Sequence, residues 1–497
     1  MGPTLLGVVG SVFLAVGSDL PGSPYGPHAG GLWPFAGRGP APGWEGPSVP
    51  EWTMVARNQG AGVGPGRLLA TAAVVVGVGL LGWAWLLVWR AARGEIRGGR
   101  RSLWWTAGAW VAPLMFAAPF ASQDVWTYGA EGKMVLSGFG GYRPATMLGH
   151  SVWTLGVDPK WIELPSPYGP GALDLSAVFV RISGGRPWVA AECWRLMSVI
   201  GLVLCAWGVT RIVSMHGGDG TAAAVAAVAN PAILLILVAG IHNDALMLGL
   251  VVAGMAVALS GRRTVGLVLC ALGVAVKPNA LLVVGALAWW AWGSRWRHRT
   301  RGILVAALAV AGVLAVGGLA VGGGFGWVRA DLFSGEIAGP WSFAAQLFHS
   351  RSGWPVDAVE FAGFALAIAF VVGPGRPGGW IAGLGWGFAV MAVTVPRPEP
   401  WYVAWAVVLL ACGGLRRHSE RLGILVLSAM LAGSVLPLEI LWWFEGVFAL
   451  VWLGLVSLRA NPRADPTSPA DASDGSGSGD DDDHPPPELA PAGRRLP

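Results

Sequence analysis

The sequence predicts an all-α polytopic membrane protein with about 13–14 transmembrane helices, since apolar stretches approaching the roughly 20 residues a spanning helix needs recur along it. Two features of composition agree. Of 497 residues, 54% are apolar and only 12% charged, about half the charged share of an ordinary soluble domain, which excludes a soluble enzyme. Gly (76 residues) and Trp (29) are both heavily used, as suits close helix packing and anchoring at a lipid interface.

In chain order the candidate spans fall near 4–17, 68–89, 104–121, 188–210, 221–240, 245–260, 264–276, 280–293, 302–323, 360–373, 379–395, 402–414, 422–437 and 440–458. The first, within residues 1–17, is either a transmembrane helix or a signal-like segment, because Ala15 and Gly17 are small but no positive n-region precedes it. Residues 18–66 are rich in Gly and Pro and read as a loop. The body runs from 67 to 460, with one long, more structured loop at about 122–186. In that loop Trp126, Trp153 and Trp161 stand among polar and Pro-Gly residues, and Leu173 to Ile182 reads as an interfacial or re-entrant stretch. Residues 461–497 hold 8 acidic against 3 basic side chains with Ser/Gly repeats and a Pro triplet, the composition of a disordered acidic tail.

Arginine placement orients the chain. Arg90, Arg93, Arg97, Arg100 and Arg101 follow the second span. Arg262 and Arg263, then Arg295, Arg297, Arg299 and Arg301, then Arg416, Arg417 and Arg421 each fall an even number of crossings later. All then share one side, which the positive-inside bias makes the cytoplasm. The tail lies there too. Most carboxylates, and any acid–base chemistry, lie on the outer side, as do the only lysines, Lys133, Lys160 and Lys277. The net charge of +5 sits between apolar stretches and not on one face, which points to a membrane and away from nucleic acid. Cys193, Cys205, Cys270 and Cys412 lie inside apolar runs without ligand spacing, so neither a disulfide framework nor a zinc site is expected. With the outer carboxylates scattered, no metal and no cofactor are expected.

Five polar constellations interrupt this apolar pattern. Asp124 and Tyr128 stand in Ser122–Tyr128, directly after the third span; a carboxylate at such a boundary suits a general base, or simply caps the following helix. Pro165–Pro170 cannot be helical and is a shaped loop that presents Ser166 and Tyr168, or a plain turn. His242, Asn243 and Asp244 break an apolar run from Thr221 to Leu259, where polar groups face a cavity or form a hairpin; Asn230-Pro231 upstream is a candidate kink. Lys277 and Asn279 separate two short apolar segments, and the ammonium suits a phosphate or snorkels at a helix end. Arg195 is a second phosphate contact or the partner of Glu192. Trp401 and Tyr402 close a rigid Pro396–Pro400 connection and suit sugar stacking or an interfacial aromatic belt. No nucleotide fingerprint occurs.

In this order and spacing, Asp-Val-x-x-Tyr at Asp124, Pro-Ser-Pro-Tyr-Gly-Pro at Pro165, Gly-x-His-Asn-Asp at Gly240, Lys-Pro-Asn at Lys277 and Pro-Trp-Tyr at Pro400 resemble the actinobacterial polyprenol-phosphate-mannose-dependent alpha-(1→6)-mannosyltransferases. Those are membrane enzymes of the GT-C class. The resemblance implies a GT-C-like fold in the plasma membrane, with the first outer loop catalytic. It implies mannose transfer from polyprenyl-phosphate-mannose to a mannan or lipid-linked glycan acceptor in lipoglycan biosynthesis, with inversion. Asp124 takes the place of the general base, Lys277 and Arg195 those of phosphate contacts, and Tyr128, Ser166, Tyr168, His242, Asn243, Asp244, Asn279, Trp401 and Tyr402 those of substrate-binding residues. The residues alone also admit a multi-pass transporter or lipid flippase, or a GT-C enzyme with another lipid-linked sugar.

Overall fold

The structure, a computed structural model, describes residues 2–20, 23, 25, 65–95, 100–328, 342–350, 352–373, 379–415 and 418–433. The candidate span at 440–458, nearly all of the loop at 18–66 and the tail at 461–497 lie outside the described residues. Those that are described form helices and turns without a strand.

The helices begin where prolines and caps place them. α1 (Pro3–Asp19), α2 (Pro65–Ala92) and α3 (Arg100–Leu114) open the chain. The loop expected at 122–186 contains α4 (Asp124–Leu136) and α5 (Pro170–Ile182). α6 (Pro187–Met215), α7 (Gly220–Val228) and α8 (Pro231–Ala239) follow, then α9 (Asp244–Leu259), α10 (Arg263–Val276), α11 (Leu281–Trp290) and α12 (Trp296–Val321). α13 (Trp354–Val372), α14 (Trp380–Thr394), α15 (Pro400–Cys412) and α16 (His418–Gly433) complete the described body. A proline occupies the first turn of α1, α5, α6, α13 and α15, where its missing N–H costs nothing and its fixed φ suits the helix. Asp219 caps α7 by accepting from the Ala222 N–H at 3.0 Å, and Gly322, at φ 85°, ends α12 in the left-handed cap open to glycine.

α2, α6, α12 and α13 are each long and apolar enough to cross a membrane, and α7 with α8 forms a further span bent by 46°. α1, α9, α10, Pro278–Trp290, α14 and α15 are shorter apolar helices. The chain is thus a multi-pass membrane protein. The bend falls at Asn230-Pro231, where the Asn230 side chain accepts from the Ala232 N–H and donates to the Ala226 carbonyl and, at 2.6 Å, to Ser428 of α16. The stretch Leu173–Ile182, expected as an interfacial or re-entrant segment, belongs to α5, which packs on α4, α6, α10 and α12.

Glycines set how closely the helices approach. α9 lies between α6 and α10. A side chain on Gly201 of α6 would meet the Ala245 carbonyl, one on Gly249 of α9 the Gly201 carbonyl, and one on Gly254 the backbone of Gly266 in α10. In lipid, where apolar surface alone drives little association, such close approach supplies van der Waals contact. Gly132 likewise seats α4 on the Ser176 backbone of α5.

Two junctions carry backbone strain. α8 ends in a π-helical turn, Leu234–Ala239, and Ile241 after it has φ 57°, costly for a β-branched residue. Ala121 has φ 51°, and the Phe120 N–H donates to the Ala239 carbonyl at 2.9 Å. His242 and Asp124 each follow within three residues of a left-handed residue, and the two junctions are tied through backbone.

Gly201→Ala is expected to lower the thermal unfolding midpoint in detergent by an amount equivalent to about 1–3 kcal/mol, the usual cost of overpacking. Gly79→Ala, with open space around it, is the control; equal midpoints for the two variants would contradict the close-packing account.

Candidate active site

The start of α4, the junctions α10/α11 and α14/α15 and the Pro165–Pro170 loop converge on one cavity of about 670 Å³, with His242 and Asp244 of the α8/α9 junction outside its lining. Asp124, Tyr168, Lys277, Asn279, Trp401 and Tyr402 line it. Its remaining wall is mixed. Leu281, Leu282, Phe364, Ala367, Ile368, Met391 and Val395 bring apolar side chains from α11, α13 and the end of α14, with Glu360 of α13 among them, while Thr127, Glu131, Trp161, Arg397 and Glu399 add polar ones.

The centre is a buried ion pair. Lys277 Nζ donates to Asp244 Oδ1 at 2.8 Å and Oδ2 at 2.9 Å, and Trp405 Nε1 donates to Asp244 Oδ1 at 2.7 Å. Asp244 is fully buried and Lys277 nearly so. The Lys277 ammonium also lies 5.3 Å from the ring centres of Tyr402 and Trp405 and 5.6 Å from that of Tyr168, within cation–π range. The sequence places Asp244 at the start of α9 and Lys277 just after α10, so the pair ties two interhelical breaks together, and α15 closes over them.

His242 occupies the space between the acids. Its ring stacks on Trp401 with centres 4.1 Å apart, and Nδ1 lies 3.6 Å from Asp124 Oδ2 and 4.0 Å from Asp244 Oδ2. Ser198 of α6 donates to the His242 carbonyl at 3.2 Å. Asp124 opens α4, its N–H taken by Ser122 Oγ at 3.2 Å, and the Tyr168 hydroxyl donates to Asp124 Oδ2 at 3.5 Å. Burial, and then the negative Asp124, hold the Tyr168 phenol well above its usual range, so it remains a donor. Ser166 shapes the loop by accepting from the Tyr168 N–H at 3.2 Å.

Several expected residues stand behind the cavity wall. Tyr128 packs edge-on to Tyr168 at 5.2 Å, and its hydroxyl accepts from the Asn243 N–H at 3.5 Å. The Asn243 amide is buried without a hydrogen-bond partner among the described residues. Arg195 lies away from the cavity lining: Nη1 donates to the carbonyls of Leu114 at 3.0 Å and Met115 at 2.8 Å, closing the end of α3, with Glu192 at 3.6 Å. Of its two expected roles, the Glu192 pair is the one the geometry supplies.

Sequence reasoning passed over Thr127 and Glu131. They stand three and seven residues after Asp124, a spacing that puts all three on one helix face. Burial pushes the Glu131 carboxyl up to about 8, opposed by a hydrogen bond from Ser166 and reinforced by the charge of Asp124. Trp405 was also passed over, although it lies one turn beyond Trp401.

The family model for the N-terminal domain of alpha-(1->6)-mannopyranosyltransferases matches residues 40–293, a stretch that includes every lining residue from Asp124 to Lys277. Alpha-(1->6)-mannopyranosyltransferase A of Mycobacterium tuberculosis is 30% identical over 375 residues, covering 70% of this chain and 72% of that protein. Alpha-(1->6)-mannopyranosyltransferase B of Corynebacterium glutamicum is 28% identical over 466 residues, 80% of this chain and 76% of that protein. No solved structure matches.

Asp244→Leu alone would leave Lys277 buried without its counter-charge and is expected to cost about 3–5 kcal/mol of stability, whereas adding Lys277→Met recovers most of that loss. Thermal unfolding of the single and double variants checks this; a double variant no more stable than the single one would sink the ion-pair account.

Proposed function

The chain belongs to the alpha-(1->6)-mannopyranosyltransferase family and is a membrane mannosyltransferase, and from that premise we propose that it transfers mannose from polyprenyl-phosphate-mannose to a mannan or lipid-linked glycan acceptor. The observation that carries this reading is the mixed lining of the cavity. A carboxylate, an ammonium and further polar groups share it with apolar side chains from α11, α13 and the end of α14, the match for a donor with a sugar, a phosphate and a polyisoprenoid tail.

In this mechanism the donor phosphate sits at Lys277, and the lining continues along the chain through Pro278 and Asn279 to the apolar Leu281 and Leu282. An acceptor hydroxyl gives its proton to the Asp124 carboxylate as its oxygen bonds to the anomeric carbon. The bond from that carbon to the phosphate oxygen breaks on the opposite side and polyprenyl phosphate leaves, so a beta-linked donor yields an alpha-(1→6) product by inversion. The leaving phosphate is already a stable anion and needs charge stabilisation more than a proton; Lys277 supplies it, oriented by Asp244 and Trp405. Tyr168 and His242 hold Asp124 in place, while Trp401 and Tyr402 offer ring faces to a sugar.

The orientation follows from α10, which begins at Arg263 and ends one residue before Lys277. With the arginine-bearing ends in the cytoplasm under the positive-inside bias, the cavity opens toward the extracytoplasmic face of the plasma membrane. Transfer of labelled mannose from polyprenyl-phosphate-mannose to a short alpha-mannoside, in membranes carrying the full chain, is expected for the wild type. Asp124→Asn is expected to fall at least about a hundredfold, the lower range for a lost general base. Equal transfer by both proteins would remove Asp124 from the chemistry, and transfer by neither would remove this donor.

A further inference from the structure

The polar face of α4 reaches beyond the reacting centre. Asp124 to Glu131 spans about 10 Å at the rise of an α-helix, and Asp124, Thr127 and Glu131 all line the cavity. That is longer than the single hydroxyl a general base must reach. Thr127 is more than nine-tenths buried, and its hydroxyl has no hydrogen-bond partner among the described residues, although a helical threonine commonly satisfies itself on a carbonyl of the preceding turn. A buried hydroxyl left open toward a cavity is costly unless something in that cavity completes it. Glu131, also more than nine-tenths buried, takes a hydrogen bond from Ser166 at the same end.

Resting on the mannosyltransferase reading above, we propose that Thr127 and Glu131 form a second acceptor subsite, which binds the sugar next to the one attacked at Asp124 and makes the enzyme favour acceptors of two or more residues. The chemistry of the pair fits a sugar. A pyranose hydroxyl both donates and accepts, as do a threonine hydroxyl and a protonated carboxyl. With burial holding its carboxyl up to about 8, Glu131 keeps its proton at neutral pH. Below that value the group donates to the acceptor; above it the donor is lost and a second negative charge stands near Asp124.

Other titratable and charged groups surround Glu131, Asp124 first among them. Burial holds the Tyr168 and Tyr142 phenols, both of which feel the charge of Glu131, well above their usual range, and beyond Tyr142 it pushes Asp174 of α5 up to about 6. Lys277, Arg397 and Glu399 lie around the same cavity.

The test is acceptor length. Membranes with the full chain are given labelled polyprenyl-phosphate-mannose and either methyl alpha-mannoside or the alpha-(1→6)-linked methyl dimannoside. The readout is the ratio of kcat/KM for the longer acceptor over the shorter. The wild type is expected to favour the dimannoside, and Glu131→Ala and Thr127→Val each to lower the ratio several-fold, up to about tenfold, the range of a lost hydrogen bond. Glu131→Gln, which still donates, is expected to keep the ratio near that of the wild type and to hold it as pH rises from about 7 to about 9, where the wild-type ratio falls. A ratio untouched by Glu131→Ala, or both acceptors losing equally, would overturn the subsite while leaving the mannosyltransferase reading intact. A wild type inactive on both acceptors would overturn the two together.

Discussion

The Asp244–Lys277 pair is the interaction on which the site depends. Two opposite charges withdrawn from solvent are retained only if their geometry is good and their remaining hydrogen-bonding capacity is met. Here both carboxylate oxygens meet the ammonium, and one also takes the Trp405 indole N–H. Because the three partners come from α9, the α10/α11 break and α15, none can shift without leaving a charge uncompensated. The same pair anchors the start of α9 two residues after His242, whose ring lies against Trp401 and whose Nδ1 comes within 3.6 Å of Asp124 Oδ2.

A site assembled from helix breaks needs helices that come close enough for short side chains to meet. The glycine contacts of α6, α9 and α10 provide that closeness, and Gly132 does so for α4 on α5. The strained residues Ala121 and Ile241 belong to the same design. Each turns the chain sharply just before a buried polar cluster, and the bond from Phe120 to Ala239 joins the two turns. Strain of this kind persists only where the surrounding packing over-determines it; here both turns are held between buried helices.

Much of this was legible in the sequence. Apolar length located the helices, with described elements near every candidate span from the first to 422–437, and the cost of polar residues in an apolar run singled out His242–Asp244 and Lys277. Proline logic found the Asn230-Pro231 bend and the shaped loop at Pro165. What the sequence left open was which polar residues meet. Arg195 reads as a candidate anion contact, yet its guanidinium serves the open carbonyls at the end of α3, a demand visible only once that helix stops at Leu114. Trp405 reads as one more apolar residue in α15, because nothing local reveals that its N–H faces a carboxylate from another helix.

Glu131 shows why spacing and burial must be read together. Three and seven residues beyond Asp124 are positions on one helix face, but on an exposed helix that stripe would be a solvated acidic edge. Seating α4 on α5 through Gly132 turns the stripe inward, and two carboxylates that the sequence presents as equals then meet different neighbours. The one beside His242 and Tyr168 has charged and donating neighbours suited to accepting a proton. The one beside Ser166 is withdrawn from solvent with the charge of Asp124 against it, and burial pushes it up to about 8. On the proposed reading, such a difference between two acids of one helix is what allows one to take a proton while the other donates a neutral hydrogen bond.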